Sequence, residues 1–162
     1  MATSEYKKTT IVFPVTGDHI LLGMKKRGFG QGWWNGFGGK LLDGESYEEC
    51  VQRECYEEAG IKVTNLNHVA NLSFFFDNVL KVVSRAYIAE SYVGVPRETD
   101  EMSLQIFHRD SIPYEQMWPA DKVWVPQVLE SGNRLHGFEI YFQGGDVENV
   151  LEVPPECIET RL

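Results

Sequence analysis

Three glutamates in one short stretch place the strongest constraint on how this chain can fold. Glu54, Glu57 and Glu58 stand at spacings that put all three carboxylates on one face of an α-helix. Like charges at these spacings destabilise an isolated helix by about 0.2–0.5 kcal/mol per pair. The cluster therefore predicts either a bound cation or an acidic helix face exposed to water, and the three residues alone favour the exposed face.

The residues around the cluster predict a helix that follows a glycine-rich loop. Ser46 and Glu49 form the Ser-x-x-Glu capping pattern, and Gly60 is a typical helix-ending residue, so we predict a helix over 46–59. Seven glycines and four aromatic residues lie between Arg27 and Gly44. Such a loop lets a ligand approach the backbone, although tight turns filled by aromatic rings would have the same composition.

The segment as a whole resembles the signature of the Nudix hydrolases, Gly-x5-Glu-x7-Arg-Glu-U-x-Glu-Glu-x-Gly-U, in which U is bulky and apolar. Its fixed positions fall on Gly39, Glu45, Arg53, Glu54, Glu57, Glu58, Gly60 and Ile61. Cys55 stands where the family usually has an aliphatic residue, and we expect a looser helix contact without loss of chemistry. With so many fixed positions, the pattern favours a bound cation over an exposed acidic face.

This resemblance implies a fold, a reaction and a set of metal ligands. The implied fold is an α/β/α sandwich around a mixed β-sheet, in the α+β class. The implied reaction is metal-assisted hydrolysis of a nucleoside diphosphate linked to another group. Mg²⁺ is the expected cofactor, with Mn²⁺ as an alternative, because carboxylate oxygens select hard cations. The implied catalytic and metal-binding residues are Gly38, Arg53, Glu54, Glu57, Glu58 and Glu101.

Within that set the resemblance gives the residues different roles. The three clustered glutamates and the Gly38 carbonyl would bind the metal, and Arg53 would orient the carboxylates through charge-assisted hydrogen bonds. Glu101 would be an additional ligand and is also a candidate general base. Glu45 is expected to be a structural partner of the loop.

Further segments resemble the MutT type of Nudix hydrolase in its mammalian form, which acts on oxidised purine nucleoside triphosphates. They are 21–30, 34–40, 100–102, 112–113 and 117–119, within a similarity that covers residues 10–142. The implied substrates are 8-oxo-dGTP, 2-hydroxy-dATP and other modified purines, including methylated ones, cleaved to monophosphate and pyrophosphate. The implied substrate-binding residues are Thr10, Lys25, Phe29, Asn35, Phe37, Gly38, Gly39, Lys40, Phe74, Phe76, Trp118, Pro119, Ala120 and Asp121.

The chemistry of some of these side chains suits a purine. Trp118 offers an aromatic face, Asn35 can both donate and accept hydrogen bonds, and Asp121 could contact the base edge. Each residue taken alone has an ordinary structural alternative: a core tryptophan, a turn asparagine and a helix N-cap. Their joint occurrence favours a base-binding pocket.

Ala120 departs from the family pattern, which has two adjacent aspartates after Trp-Pro. In the family this pair helps to accept both oxidised guanine and oxidised adenine, and two close carboxylates can share one proton at neutral pH. We therefore expect Asp121 alone to be protonated less readily, with a narrower substrate range, a weaker affinity or a preference for another modified purine.

Composition restricts the partners of the chain. The sequence has 15 Lys and Arg against 24 Asp and Glu, a net charge of −9, which argues against nucleic acid or an anionic membrane. Three cysteines without paired spacing favour a reducing compartment. We expect one domain over 1–162, a monomer, and a cytoplasmic location with the nucleus and mitochondrion left open. Two alternatives remain: a Nudix pyrophosphatase for dinucleoside polyphosphates or ADP-sugars, and a catalytically silent nucleotide-binding module.

Hydrophobic patterning predicts a fold rich in strands, with a second helix over 121–130 despite Pro126. Pro14 predicts an edge strand or a bulge. After Gly145 we expect at most one strand and then fraying. The predicted strands cover 10–15, 19–24, 68–76, 82–88, 104–108 and 136–142, with a loop over 94–101.

Overall fold

A computed structural model describes residues 5–132 and 134–162 of the chain. Within these residues the strands are β1 Lys7–Thr16, β2 His19–Lys25, β3 Trp34–Asn35, β4 Lys62–Phe76, β5 Val79–Val93, β6 Met102–His108, β7 His136–Gln143 and β8 Asp146–Val153. The α-helices are α1 Tyr47–Ala59, α2 Asp121–Glu130 and α3 Glu156–Glu159, and two 3-10 turns cover Arg109–Ser111 and Tyr114–Gln116. None of these helices is both long and apolar enough to cross a bilayer.

The sheet is mixed and has a helix on each face. Its strand order is β3-β2-β1-β5-β4-β7-β8, and β6 pairs with β2. β1 pairs with β5 in parallel, as β4 does with β7, while the other pairs are antiparallel. Because side chains alternate along β1, Val12 packs against the α1 side and Phe13 packs against the α2 side. The expected α+β sandwich is confirmed.

Helix α1 begins and ends where local signals predicted. The Ser46 hydroxyl accepts a hydrogen bond from the Glu49 N–H, and the Glu49 carboxylate accepts one from the Ser46 N–H. Gly60 takes the left-handed conformation, with φ of 71°, and donates its N–H to the Tyr56 carbonyl. These caps fix the length of the helix that carries the three glutamates.

Pro14 does not lie on an edge strand, because β1 is flanked by β2 and β5. The N–H groups of Thr10 and Val12 point toward the loop, to the carbonyls of Gly39 and Phe37. Pro14 has the same orientation two residues later, and regular pairing with β2 begins only at Val15. The missing N–H therefore falls in a gap between partners, a position that the residue type alone did not reveal.

The chain after Gly145 does not fray within the described residues. It forms β8 and then α3, and Ile158 of α3 is fully buried. The Glu159 carboxylate accepts hydrogen bonds from Asn71 Nδ2 at 2.8 Å and Arg85 Nη2 at 2.6 Å. The Arg85 guanidinium also lies over the ring of Tyr47, 4.5 Å from its centroid. The acidic tail is thus ordered by polar groups of the sheet beside the first turn of α1.

We expect Ile158→Ala to lower the free energy of unfolding by about 2–4 kcal/mol, since the change leaves a cavity where a fully buried side chain packed. Urea denaturation of the two proteins would measure the difference. The matched control is Leu151→Ala on β8, whose side chain is exposed and whose loss should cost less than about 1 kcal/mol. Equal effects of the two substitutions would contradict the docking of α3.

Candidate active site

The loop before α1 is fixed against β1 by a short ladder. Val12 donates its N–H to the Phe37 carbonyl at 2.7 Å, and Thr10 donates its N–H to the Gly39 carbonyl at 3.0 Å. A Cβ placed on Gly38 would lie 1.9 Å from the Thr10 carbonyl oxygen. Only glycine fits there, so the loop backbone can lie directly beside β1.

The same loop contacts two of the three glutamates. Gly38 donates its N–H to Glu58 Oε1 at 3.0 Å. A Cβ on Gly39 would lie 2.6 Å from Glu54 Oε1, so a larger residue would occupy the space of the carboxylate. The glycines therefore form a cradle in which backbone groups and carboxylate oxygens lie side by side.

Arg53 links the carboxylates to the loop. Its guanidinium donates to both Glu45 oxygens, through Nε at 2.7 Å and Nη2 at 2.9 Å. Nη1 donates to Glu54 Oε1 at 2.9 Å and to Glu57 Oε2 at 3.4 Å, and Nη2 donates to the Lys40 carbonyl at 3.1 Å. The guanidinium lowers the pKa of Glu45 to about 2. Arg53 thus contacts Glu45, Glu54 and Glu57 together, and its role in orienting the carboxylates stays a prediction.

Glu58 has the most perturbed carboxyl group of the cluster. Burial raises its pKa to about 8; the Gly38 N–H opposes this shift, the Glu54 charge adds to it, and the Lys25 charge opposes it. The surroundings of Glu58 supply too little positive charge to stabilise its ionised form. A cation at this position would supply that charge.

A divalent metal ion fits the donors present. The donors are the three carboxylates of α1 and the backbone carbonyl oxygens of the glycine cradle. Mg²⁺ and Mn²⁺ prefer oxygen ligands of this kind. Arg53 occupies only Oε1 of Glu54. Within residues 5–132 and 134–162, no three His, Cys, Asp or Glu side chains are already gathered closely enough to enclose an ion.

Glu101 does not join the cluster in this structure. Its carboxylate is 73% exposed and forms a salt bridge with Arg27 at 3.1 Å. Its backbone carbonyl accepts a hydrogen bond from the Lys26 N–H, which places it next to the end of β2 and Lys25. Its role as a metal ligand or base stays a prediction.

A second group of predicted residues meets where β3 approaches the segment before α2. Trp34 forms a parallel bridge with Met117, and this bridge brings Asn35 alongside Trp118. Asn35 Oδ1 accepts the Gly36 N–H at 2.8 Å, and among the described residues its NH₂ group donates to no protein atom. Asn35 and Trp118 therefore follow the two bridged residues on neighbouring segments, and their joint contact with a base stays a prediction.

Asp121 is the first residue of α2, after Ala120 at the N-cap, and both residues are buried. Asp121 Oδ1 accepts a hydrogen bond from Trp124 Nε1 at 3.1 Å, while Oδ2 is buried and has no partner among the described residues. Burial raises the pKa of Asp121 to about 7, against opposing hydrogen bonds from Trp124 and Trp118. Burial thus raises the pKa of Asp121 in the direction that a second carboxylate would, and the comparison with the family's pair of aspartates stays a prediction.

Phe74 and Phe76 lie together on the α2 side of the sheet, with a residue that the sequence argument missed. Phe142 stacks on Phe76 with centroids 4.6 Å apart and on Phe74 at 6.5 Å. The parallel register of β4 and β7 sets Phe76 opposite Phe142. A period-two pattern through Phe138, Ile140 and Phe142 could have indicated this face. Trp33, which stacks on Trp118, was also missed.

Other predicted substrate contacts lie elsewhere. Phe37 is fully buried in the core on the α1 side, so its side chain is not accessible for the predicted contact with substrate. Thr10 is also buried on that side, with its hydroxyl 3.3 Å from the Cys50 thiol and away from Trp118. Lys40 and Pro119 are exposed, and Lys25 is exposed near Glu58 and Gly30. Phe29 lies against Trp118 at 5.3 Å.

The cysteines carry no disulfide within the described residues. Cys50 and Cys55 are buried under α1, and Cys157 is exposed on α3. Burial raises the pKa of the Cys55 thiol, which accordingly remains neutral in the core. Cys55 packs against the sheet with Val51 and Ala59, so it serves as the small hydrophobic residue expected at this position.

Comparison with known proteins places this geometry in context. A family model described as the NUDIX domain matches residues 5–128. The oxidized purine nucleoside triphosphate hydrolase of Danio rerio is 44% identical over 142 residues, covering 87% of this chain and 90% of that protein. The Mus musculus protein of the same name is 42% identical over 122 residues, covering 75% and 78%. The crystal structure of a MutT protein from Bacillus halodurans has a TM-score of 0.79 at 26% identity, covering 91% of this chain and 98% of that chain.

Proposed function

The chain belongs to the Nudix family of hydrolases, and from this premise we propose that it hydrolyses modified purine nucleoside triphosphates. The substrates would be 8-oxo-dGTP, 2-hydroxy-dATP and related purines, and the products the monophosphate and pyrophosphate. The observation that carries the proposal is the glycine cradle against Glu54 and Glu58. Two relatives with more than 40% identity, both named as oxidized purine nucleoside triphosphate hydrolases, support this substrate class and a role in sanitising the nucleotide pool.

Nudix hydrolases typically need a divalent metal ion. We propose Mg²⁺, or Mn²⁺ in its place, held by the glutamates at 54, 57 and 58 and by the Gly38 carbonyl, with Glu101 as an added ligand. Bound there, the ion would neutralise phosphate charge and lower the pKa of a bound water. Arg53 would hold Glu54 in one orientation, and the Lys25 ammonium would attract the triphosphate.

Base recognition would use the second group of residues. Trp118 would stack on the purine, and the free NH₂ of Asn35 would donate to an acceptor on its edge. With a pKa of about 7, Asp121 is available both as a neutral donor and as a charged acceptor near neutral pH. This supports recognition of more than one oxidised purine, whose edges carry different donor and acceptor patterns.

A nucleotide panel tests the proposal. The protein is given 8-oxo-dGTP, 2-hydroxy-dATP, methylated purine triphosphates, dGTP, dATP, a dinucleoside polyphosphate and ADP-ribose, with Mg²⁺ or with chelator. We expect pyrophosphate release from the modified triphosphates only, and none with chelator. Preferred cleavage of the dinucleoside polyphosphate or ADP-ribose, or turnover that ignores chelator, would refute it. Binding without any turnover would favour the silent nucleotide-binding module.

We expect Ala120→Asp to change the ratio of kcat/KM between 8-oxo-dGTP and 2-hydroxy-dATP by about tenfold. Ala120 is buried next to Asp121, and a second carboxylate there raises one of the two pKa values, since like charges disfavour ionisation of both groups. One pKa unit changes the population of a protonation state about tenfold. Steady-state kinetics with each substrate would measure it. Ala120→Asn adds the same bulk without charge, so an equal shift in that variant, or no shift in either, contradicts the explanation.

A further inference from the structure

Trp33 lies against the ring to which we assign base stacking. The Trp33 and Trp118 ring centroids are 5.8 Å apart, and their planes are nearly parallel, at 16°. Phe29 also contacts Trp118, at 5.3 Å and 31°, but it is 83% exposed. Of the two rings that contact Trp118, Trp33 is the less exposed and the more parallel.

The backbone around Trp33 gives it a fixed position. The next residue, Trp34, is buried, pairs with Met24 in the sheet and bridges to Met117. Trp34 Nε1 also donates to Gln116 Oε1 at 3.2 Å. These contacts tie residues 33–34 to the segment just before Trp118. Trp33 therefore cannot shift relative to Trp118 without disrupting the edge of the sheet.

The loop that carries Phe29 is shaped by glycine turns. Gly28, Gly30 and Gly32 all have positive φ, a conformation that favours glycine and allows a tightly turned loop. Trp33 donates its N–H to the Gly30 carbonyl at 3.2 Å, and a Cβ on Gly30 would meet Trp118 Cζ2 at 3.5 Å. The glycine turns thus let the loop wrap the indole of Trp118, with Trp33 at the fixed end and Phe29 at the exposed tip.

Trp118 itself depends on such support. It is partly exposed and lies between the 3-10 turn Tyr114–Gln116 and the start of α2, outside any helix or strand. Its indole keeps one orientation where neighbouring rings pack against it, because within the described part of the chain the backbone there pairs with a strand only through the Met117 bridge.

We propose that Trp33 is a positioning residue for purine binding, which holds the Trp118 indole in the orientation that stacks on the base. The inference rests on the proposed function, and nothing in the signature of residues 39–61 includes Trp33. A positioned ring lowers the entropic cost of binding, so removal of Trp33 weakens nucleotide binding without touching the groups that cleave the triphosphate.

Three variants separate positioning from a role in folding. Trp33→Ala removes the ring, Trp33→Leu keeps apolar bulk without an aromatic face, and Trp33→Phe keeps a smaller ring. We expect KM for 8-oxo-dGTP to rise about three- to tenfold in Trp33→Ala, the range given by one aromatic pair, with kcat within about twofold of wild type. Trp33→Phe should recover most of the KM, whereas Trp33→Leu should not.

Equilibrium binding of the product 8-oxo-dGMP to the metal-free protein gives a readout independent of catalysis. We expect the Kd to change in parallel with KM across the series. Equal Kd values in wild type and Trp33→Ala, recovery by Leu as complete as by Phe, or a proportional loss of kcat and thermal stability in all three variants would overturn the inference. A wild type that neither hydrolyses nor binds modified purines overturns the proposed function as well, so the two failures are distinguishable.

Discussion

Replacement of Glu58 by Gln is expected to reduce kcat for the modified purine triphosphates by about a thousandfold or more, equivalent to roughly 4 kcal/mol of transition-state stabilisation. Glu58 accepts a hydrogen bond from the Gly38 N–H, and the charges of Glu54 and Lys25 act on its carboxyl group. The amide retains the size of the carboxyl group and can accept the same hydrogen bond through Oε1, but it cannot supply a negative ligand to a divalent ion. The loss should therefore appear as lost turnover in a protein that is still folded.

The measurement is steady-state release of pyrophosphate at saturating Mg²⁺, with far-ultraviolet circular dichroism and thermal melting to establish the fold. The matched control is Glu48→Gln on the same helix, where the exposed carboxylate accepts a hydrogen bond from Tyr87 and lies outside the cluster. Glu48→Gln should retain kcat within about threefold, since glutamine can still accept the hydrogen bond from the Tyr87 hydroxyl and the charge that is lost lies outside the cluster. A Glu58→Gln variant as active as the control would remove Glu58 from the catalytic group.

The parts of the fold that the sequence predicts best are those encoded by neighbouring residues. The capping box at Ser46 and Glu49 and the left-handed Gly60 place both ends of α1. The spacing of the glutamates then follows from helix geometry alone. Strand patterning located the end of β4 at Phe76 but not its beginning, and it located the centre of β5 but neither of its ends. The turn between them uses Asp77 and Asn78 with positive φ, and the strands extend from it well beyond the clear apolar alternation.

The parts that the sequence did not predict depend on contacts between distant residues. Phe37 is in a glycine-rich loop that resembles a binding loop, but β2 and α1 cover its ring completely. Phe142 reaches Phe76 only because β7 joins β4 in parallel, more than sixty residues along the chain. The docking of α3 similarly requires Asn71 and Arg85 as partners of Glu159. Local patterns carry no information about which face of a segment another segment will cover.

Asp121 shows how burial can replace a chemical neighbour. From the absence of a second aspartate in the sequence we expected Asp121 to be protonated less readily than the family's pair. Asp121 is the buried first residue of α2. Its Oδ1 accepts a hydrogen bond from Trp124, and its Oδ2 has no partner among the described residues. Desolvation of the charged form then raises the pKa to about 7.

Removal of this group should have a large effect on substrate selection. We expect Asp121→Ala to lower kcat/KM for 8-oxo-dGTP and 2-hydroxy-dATP by about a hundredfold or more. The proposed hydrogen bond between Asp121 and the base edge cannot form in this variant, so the polar group of the base is left without a partner. The effect on dGTP and dATP should be smaller. Kinetics on all four substrates would measure the selectivity, with Asp43→Asn, at an exposed position, as a control that leaves each value unchanged. Equal losses on modified and unmodified purines would contradict the assignment.

Asp121→Asn should separate the charge of this group from its shape, first through stability. The folded pKa of about 7 exceeds the ordinary value of 3.8. The wild type therefore has the full contribution of Asp121 to stability below about pH 4 and loses it as pH rises toward 7. The Asn variant has no such loss, so its free energy of unfolding relative to wild type should increase between pH 4 and 7, by a few kcal/mol in order of magnitude, and then level off. Urea denaturation at several pH values would measure this, and a constant difference would contradict the raised pKa.

The same titration should appear in the choice between substrates. If neutral Asp121 binds one oxidised purine and its charged form binds the other, the ratio of their kcat/KM values in wild type must change between pH 6 and pH 8, on either side of the pKa of about 7. The ratio removes contributions common to both substrates, including metal binding and ionisation of the phosphates. In Asp121→Asn the ratio should not vary with pH, since an amide does not titrate in this range. If kcat/KM for the two purines varied with pH in the same way in wild type, both purines would bind the same protonation state of Asp121. Recognition of both would then have to come from Asn35 and the predicted aromatic contacts Phe74, Phe76 and Trp118.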